Sequence, residues 1–175
     1  YDETGLPWRN PSPSITGMQS VLGYHLAGAL EALNISVGRG TSNPFQLYGA
    51  PFIEVKKIVK ALNKARLPGV KFYAAKFKPT RSAYAKEVCR GFKMVVTNRR
   101  KVDPMRTLVT IARELYHQLP EKSREKNWQR IANGVGDTEF IAQIAKGERV
   151  EKLVQLTQKD VDSFKQERKK YLMYP

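Results

Sequence analysis

One cysteine, two histidines and about half as many acidic as basic side chains mark this 175-residue chain. The lone Cys89 excludes an internal disulfide framework and any cysteine-rich zinc site. His25 and His117 stand far apart in the sequence, each in an expected helix, so no metal site is expected, and no cofactor. No run approaches the roughly 20 consecutive apolar residues that span a bilayer, so no membrane span is expected. Internal repeats and low-complexity tracts are also lacking. The chain does not open on Met, and no signal-peptide pattern is visible in the sequence given. Tyr1-Asp2-Glu3-Thr4-Gly5-Leu6-Pro7-Trp8 reads as the interior of a longer protein, so a preceding part is expected to be missing. That reading leaves export open.

What is present describes a globular domain. Hydrophobic residues make up 41% and charged residues 27%, too apolar for a disordered chain. The length suits one domain with a real core. Against 16 acidic residues stand 31 basic ones, a formal charge of +15. Such a surplus favours a polyanionic partner through a long-range, salt-sensitive field. Nucleic acid and anionic wall polymers both fit. A solvated surface fits equally well, because many lysines fall on outward helix faces, as at Lys56, Lys57, Lys60 and Lys64 or Lys165, Arg168, Lys169 and Lys170.

Pro7, Pro11 and Pro13 exclude a helix over residues 1–15, which read as an extended segment with Trp8 as anchor. Thr16 to Gln19 has capping-box spacing, and Met18, Val21, Leu22, Leu26, Leu30 and Leu33 follow at helical spacing. Gly23 and Gly28 predict a break near Tyr24. Asn34 to Pro44 is a polar, glycine-punctuated loop, and Phe45 to Pro51 continues irregularly. Ile53, Ile58, Leu62 and Ala65 predict a helix that stops at Pro68-Gly69. Val70 to Ala74 and Phe92 to Thr97 read as strands. Asp103-Pro104 opens a helix with Leu108, Ile111, Ala112, Leu115 and Leu119 as its buried stripe. Beyond Pro120 the chain reads as helical. A short helix starts at Asp137 or Thr138 and uses Phe140, Ile141 and Ile144, and Gly147 breaks it. Val150, Leu153, Val154 and Leu156 make the next, and Thr157 to Asp160 cap a last helix with Val161, Phe164 and Tyr171. The fold class is α+β: a small sheet, three strands, covered by five or six helices.

The loop from Asn34 to Pro44 is the candidate site. Gly38 and Gly40 let backbone approach a ligand, and Arg39 between them is a fork suited to carboxylate or phosphate. Glu31 lies one helical turn before Asn34, and Ser36 and Thr41 add hydroxyls. Arg39 could equally pair with Glu31 and only hold the loop. The glycine–lysine–threonine spacing of a P-loop is absent. Cys89 beside Gly91 reads as a small packing residue. Lysines and aromatics interleave at Lys71-Phe72-Tyr73, Lys76-Phe77-Lys78 and Phe92-Lys93. That pattern resembles a nucleic-acid stacking platform, but it is more often a half-buried strand.

Several landmarks give a family resemblance. Gly5-Leu6-Pro7-Trp8 with Pro11-Ser12-Pro13 opens the set, and Glu31 through Thr41 carries its central motif. Pro44-Phe45, Gly49-Ala50-Pro51, Phe77-Lys78-Pro79-Thr80 and Cys89-Arg90-Gly91 follow in order. Phe164, Arg168 and Tyr171-Leu172-Met173-Tyr174 close it. Together they resemble the exo-β-N-acetylmuramidases, glycoside hydrolases formerly listed as a domain of unknown function. Two departures stand out: Ala32-Leu33 replaces a Gly-Thr, and Tyr24-His25-Leu26 replaces a Tyr-Pro-Gly turn.

The resemblance implies removal of N-acetylmuramic acid from non-reducing ends of cell-wall glycans, outside the cytoplasm. It implies that residues 1–175 are one C-terminal, substrate-side domain of a two-domain protein. Residues 1–15 would join it to a missing Rossmann-like N-terminal domain, with the active site between the two. The main catalytic acid is then expected in the missing half, with Glu31 the candidate carboxylate on this side. Arg39 is expected to read the lactyl carboxylate of muramic acid, supported by Glu31. Asn34, Ser36 and Thr41 are expected to meet sugar hydroxyls or the acetamido group, with Gly38 and Gly40 giving close approach. The partners implied are cell-wall glycan or muropeptide fragments and the chain's own N-terminal domain. The rival reading is a basic, non-catalytic module that binds nucleic acid or anionic wall polymers.

Overall fold

The computed structural model describes residues 3–135 and 138–174. Residues 3–15 form neither helix nor strand, as three prolines dictate. Trp8 is half-buried, and its indole donates to Asn10 Oδ1 at 2.8 Å. Helix α1 spans Met18–Ala27 and runs on into a 3-10 segment, Gly28–Leu33. The predicted capping box forms differently. Thr16 is exposed, and the Ser20 hydroxyl instead accepts from Gly17 N at 3.0 Å. Gln19 is engaged elsewhere, donating to Val96 O at 3.0 Å and accepting from Val96 N at 3.2 Å.

The break predicted near Tyr24 is absent. Gly23 serves packing instead: a Cβ there would stand 1.8 Å from Phe45 O, so only glycine lets α1 lie this close. The irregular stretch predicted from Phe45 to Pro51 is corrected to a strand, β1, Leu47–Ala50. All four of its residues are buried, so both faces are covered and the alternation that marks a strand in sequence is lost. Strands β2, Val70–Phe77, and β3, Cys89–Val96, complete an antiparallel sheet in the order β1-β3-β2. Its inner face carries Tyr48, Phe72, Phe92 and Met94, with the Tyr48 and Phe92 rings stacked at 5.4 Å. Gln19 bonds β3 at Val96, beyond the reach of the short β1.

Helix α2, Val55–Lys64, buries Ile58 and Leu62 as its spacing predicts. Helix α3, Pro104–Tyr116, starts where expected, with the Asp103 side chain accepting from Arg106 N at 2.9 Å. Helices α4, Glu121–Val135, and α5, Thr138–Ala145, follow. Thr138 opens α5; Asp137 and the Phe140 side chain lie outside the described residues. The last helix, α6, runs unbroken over Val150–Arg168. The cap predicted at Thr157 does not interrupt it, because the Thr157 hydroxyl donates back to Val154 O at 3.0 Å, inside the helix. The result is an α+β fold with, among the described residues, three strands and six α-helices. No helix among those residues is long and apolar enough to cross a membrane.

Candidate functional site

The candidate loop begins where the 3-10 segment ends. Asn34 takes a left-handed conformation, φ 56°, and turns the chain. Ile35 and Val37 are buried on either side of Ser36, whose backbone pairs with Gly49 at 2.8 and 3.0 Å. This stitches the loop to β1. Gly38 and Gly40 both have φ 76°, a region that other residues enter at a cost. Arg39 is thereby held outward between two turns.

Its guanidinium grips Glu31 with two bonds, Nε to Oε1 at 2.7 Å and Nη2 to Oε2 at 2.9 Å. The Arg39 Cζ sits 4.7 Å from the centre of the Phe45 ring. Both side chains remain partly open, 30% for Arg39 and 33% for Glu31. The bond from Arg39 holds the Glu31 carboxyl below its ordinary value, against the opposing effect of burial; the Arg39 charge and a bond from Ser82 add to it. Arg39 is raised by the same partnership. Glu31 is therefore a carboxylate at neutral pH and poorly suited to donate a proton.

A second arm, residues 79–86, closes over this pair. Thr80 Oγ1 donates to Gly40 O at 3.0 Å, and Ser82 Oγ donates to Glu31 Oε1 at 3.2 Å. Asn34 Nδ2 donates to the Tyr84 hydroxyl at 3.2 Å. Lys86 N donates to Pro79 O at 2.8 Å and shuts the arm on itself. Ser82, Tyr84 and Lys86 all have left-handed φ, 66°, 60° and 67°. Non-glycine residues held this way cost roughly 1–3 kcal/mol each and cluster at binding sites.

Of the residues predicted from sequence, Glu31, Asn34, Gly38, Arg39 and Gly40 converge here. The hydroxyls expected to meet a sugar are engaged within the loop. Ser36 is 1% exposed, and its Oγ accepts from Gly38 N at 3.3 Å. Thr41 Oγ1 donates to Gly38 O at 2.7 Å and accepts from Asn43 N at 3.1 Å. Both shape the loop. Thr80 stood only in a family landmark, and Ser82 and Tyr84 had no signal as site residues, since left-handed backbone in non-glycine residues leaves no mark in composition. Nor did Tyr24, which meets Phe45 edge to face at 5.0 Å.

Other expectations resolve simply. Cys89 is buried and its thiol is pushed up to about 11, chiefly by burial, as an inert packing residue requires. Phe72 and Phe92 face the core while Lys71 and Tyr73 are exposed, the half-buried strand pattern. Those two rings are not available to stack on bases. A cleft of about 560 Å³ lies between α3, α4 and α5, lined by Tyr116, Arg124, Trp128 and Ile141 among others. No residue of the Glu31–Arg39 loop lines it.

Residues 22–174 match the family model described as exo-β-N-acetylmuramidase NamZ, C-terminal. The chain belongs to that family. The peptidoglycan β-N-acetylmuramidase NamZ of Bacillus subtilis is 35% identical over 174 residues, 99% of this chain and 42% of that protein. A crystal structure of a DUF1343 family protein from Bacteroides fragilis agrees with a TM-score of 0.84 at 27% identity. It covers 100% of this chain and 47% of its own. A second DUF1343 protein from the same organism, 22% identical with a TM-score of 0.67, covers 94% of this chain and 43% of its own and shares the fold. The chain thus spans less than half the length of each of these relatives.

Proposed function

We propose that this domain binds the terminal N-acetylmuramic acid of cell-wall glycans for hydrolysis by a two-domain exo-β-N-acetylmuramidase acting outside the cytoplasm. The observation that carries the reading is the two-pronged Glu31–Arg39 pair, half-open on a loop with two left-handed glycines. An arginine has five N–H donors, and Glu31 takes up only part of the fork. The remaining donors suit a second carboxylate, and the lactyl ether of muramic acid carries one. Glu31 keeps the fork oriented. Asn34 and Tyr84 offer neutral polar groups beside it.

Glycoside hydrolysis needs an acid for the leaving oxygen and a second group as base or nucleophile. An ion-paired Glu31 with a lowered pKa does not fill the acid's place. The acid is assigned to a preceding Rossmann-like domain, with residues 1–15 as the connection to it. The domain reads the sugar and its partner cleaves. The alternative basic module rests only on the +15 charge, which names no partner.

The test is Arg39→Ala in the complete two-domain enzyme. A lost charge-assisted bond of about 1.5–3 kcal/mol weakens muramic substrates roughly 10- to 100-fold. Glucosamine analogues, without the carboxylate, change little. Equal losses on both sugars overturn the carboxylate reading.

A further inference from the structure

Tyr24, on the second turn of α1, is 56% exposed yet closely held. Its ring meets the Phe45 ring edge to face, with centres 5.0 Å apart and planes at 69°. On another side it lies against Gly28, where a Cβ would stand only 2.8 Å from Tyr24 Cδ2. Phe45, itself at φ 58°, carries the Arg39 guanidinium 4.7 Å from its ring centre. Tyr24, Phe45, Arg39 and Glu31 are thus consecutive contacts in one cluster.

A large ring gains its folding energy by leaving water. Tyr24 leaves more than half of its surface wet while being fixed in place, so its free face contributes little to this domain's own stability. It is a ready surface for something else. Phe45 packs against it edge to face, and the Arg39 fork with its carboxylate partner lies on that same Phe45 ring. A ligand that fits has a flat apolar face for the ring and polar groups at its edge for Arg39 and Glu31. A pyranose has that shape, with C–H groups on its face and hydroxyl, acetamido and carboxylate groups around its rim. A nucleobase also stacks, but its phosphates would meet the Glu31 carboxylate.

We propose that Tyr24 is the stacking platform of a pyranose subsite whose rim groups reach the Glu31–Arg39 pair. The assignment rests on the sugar-binding reading above and adds to it the face on which the ring lies.

The test titrates the chain with the disaccharide of N-acetylmuramic acid and N-acetylglucosamine, reading affinity by amide NMR and folding by thermal melt. Wild type, Tyr24→Phe and Tyr24→Ala are compared. Tyr24→Phe keeps the face and stays within about threefold of wild type, while Tyr24→Ala loses about tenfold or more, the equivalent of one stacked ring. Wild type and Tyr24→Phe melt alike, and Tyr24→Ala, which loses the Phe45 ring contact, melts somewhat lower but still in one cooperative step. Wild-type binding that survives Tyr24→Ala overturns the platform and leaves the sugar reading standing. A loss in Tyr24→Phe equal to that in Tyr24→Ala also overturns it, because the hydroxyl rather than the face would then be acting. If wild type binds no glycan but a single-stranded oligonucleotide shifts residues around Tyr24, both readings fall.

Discussion

Glu31 is a carboxylate made to stay charged. Its hydrogen bond from Arg39, the Arg39 charge and the Ser82 hydroxyl together outweigh burial and lower its pKa from 4.5. A lowered pKa in the folded state gives stability that is present above the ordinary value and is lost as pH falls through the folded one. Glu31→Gln therefore melts below wild type by a steady margin at neutral pH. The margin is small, on the order of 1 kcal/mol, because both partners are partly solvated. It closes as the solution is acidified below pH 4.5. Thermal melts of both proteins across that range check this, and a margin independent of pH contradicts it. At this scale much of the site was legible. Gly38-Arg39-Gly40 announces a held fork, and Glu31, eight residues upstream, is the natural partner. What was not legible comes from the tertiary fold. Ser82 and Tyr84 reach the site because a distant arm folds back, and Ser36 turns inward because β1 pairs with its backbone.

Helix α1 shows at the element scale how packing overrides local preference. Replacing Gly23 with Ala favours the isolated helix by about 1 kcal/mol. In the folded protein the added Cβ meets Phe45 O at 1.8 Å and Phe45 C at 2.8 Å. The helix must then shift, and the Tyr48 hydroxyl, which reaches Gly23 O at 3.0 Å and Phe45 O at 2.8 Å, loses its place. Gly23→Ala is expected to destabilise by roughly 1–3 kcal/mol in urea unfolding, the usual cost of overpacking. A stabilised variant contradicts this account. The same competition explains which elements the sequence displays. Helix α2 shows one buried stripe, Ile58 and Leu62, and α3 a clear Asp103 cap, so both were legible. Strand β1 is buried on both faces and too short to show a pattern. Helix α6 is continuous although Thr157 looks like a cap, because a threonine hydroxyl is as easily satisfied by the preceding turn.

Across the molecule, several of the family landmarks gather near one place. Glu31 to Thr41 forms the loop, Pro44-Phe45 supports Arg39, Gly49 pairs with Ser36, and Pro79-Thr80 anchors the closing arm. The convergence is of landmarks in the middle of the resemblance, between residues 31 and 80. It also links family membership, matched over residues 22–174, to one chemical feature, a half-open arginine fork. The most direct test of the account is an amide NMR titration of the chain with N-acetylmuramic acid and, separately, N-acetylglucosamine. The account predicts shifts centred on residues 31–45 and 80–84 with the muramic sugar and much weaker ones with the glucosamine. Equal responses to both sugars, or muramic shifts confined to residues elsewhere, would contradict it.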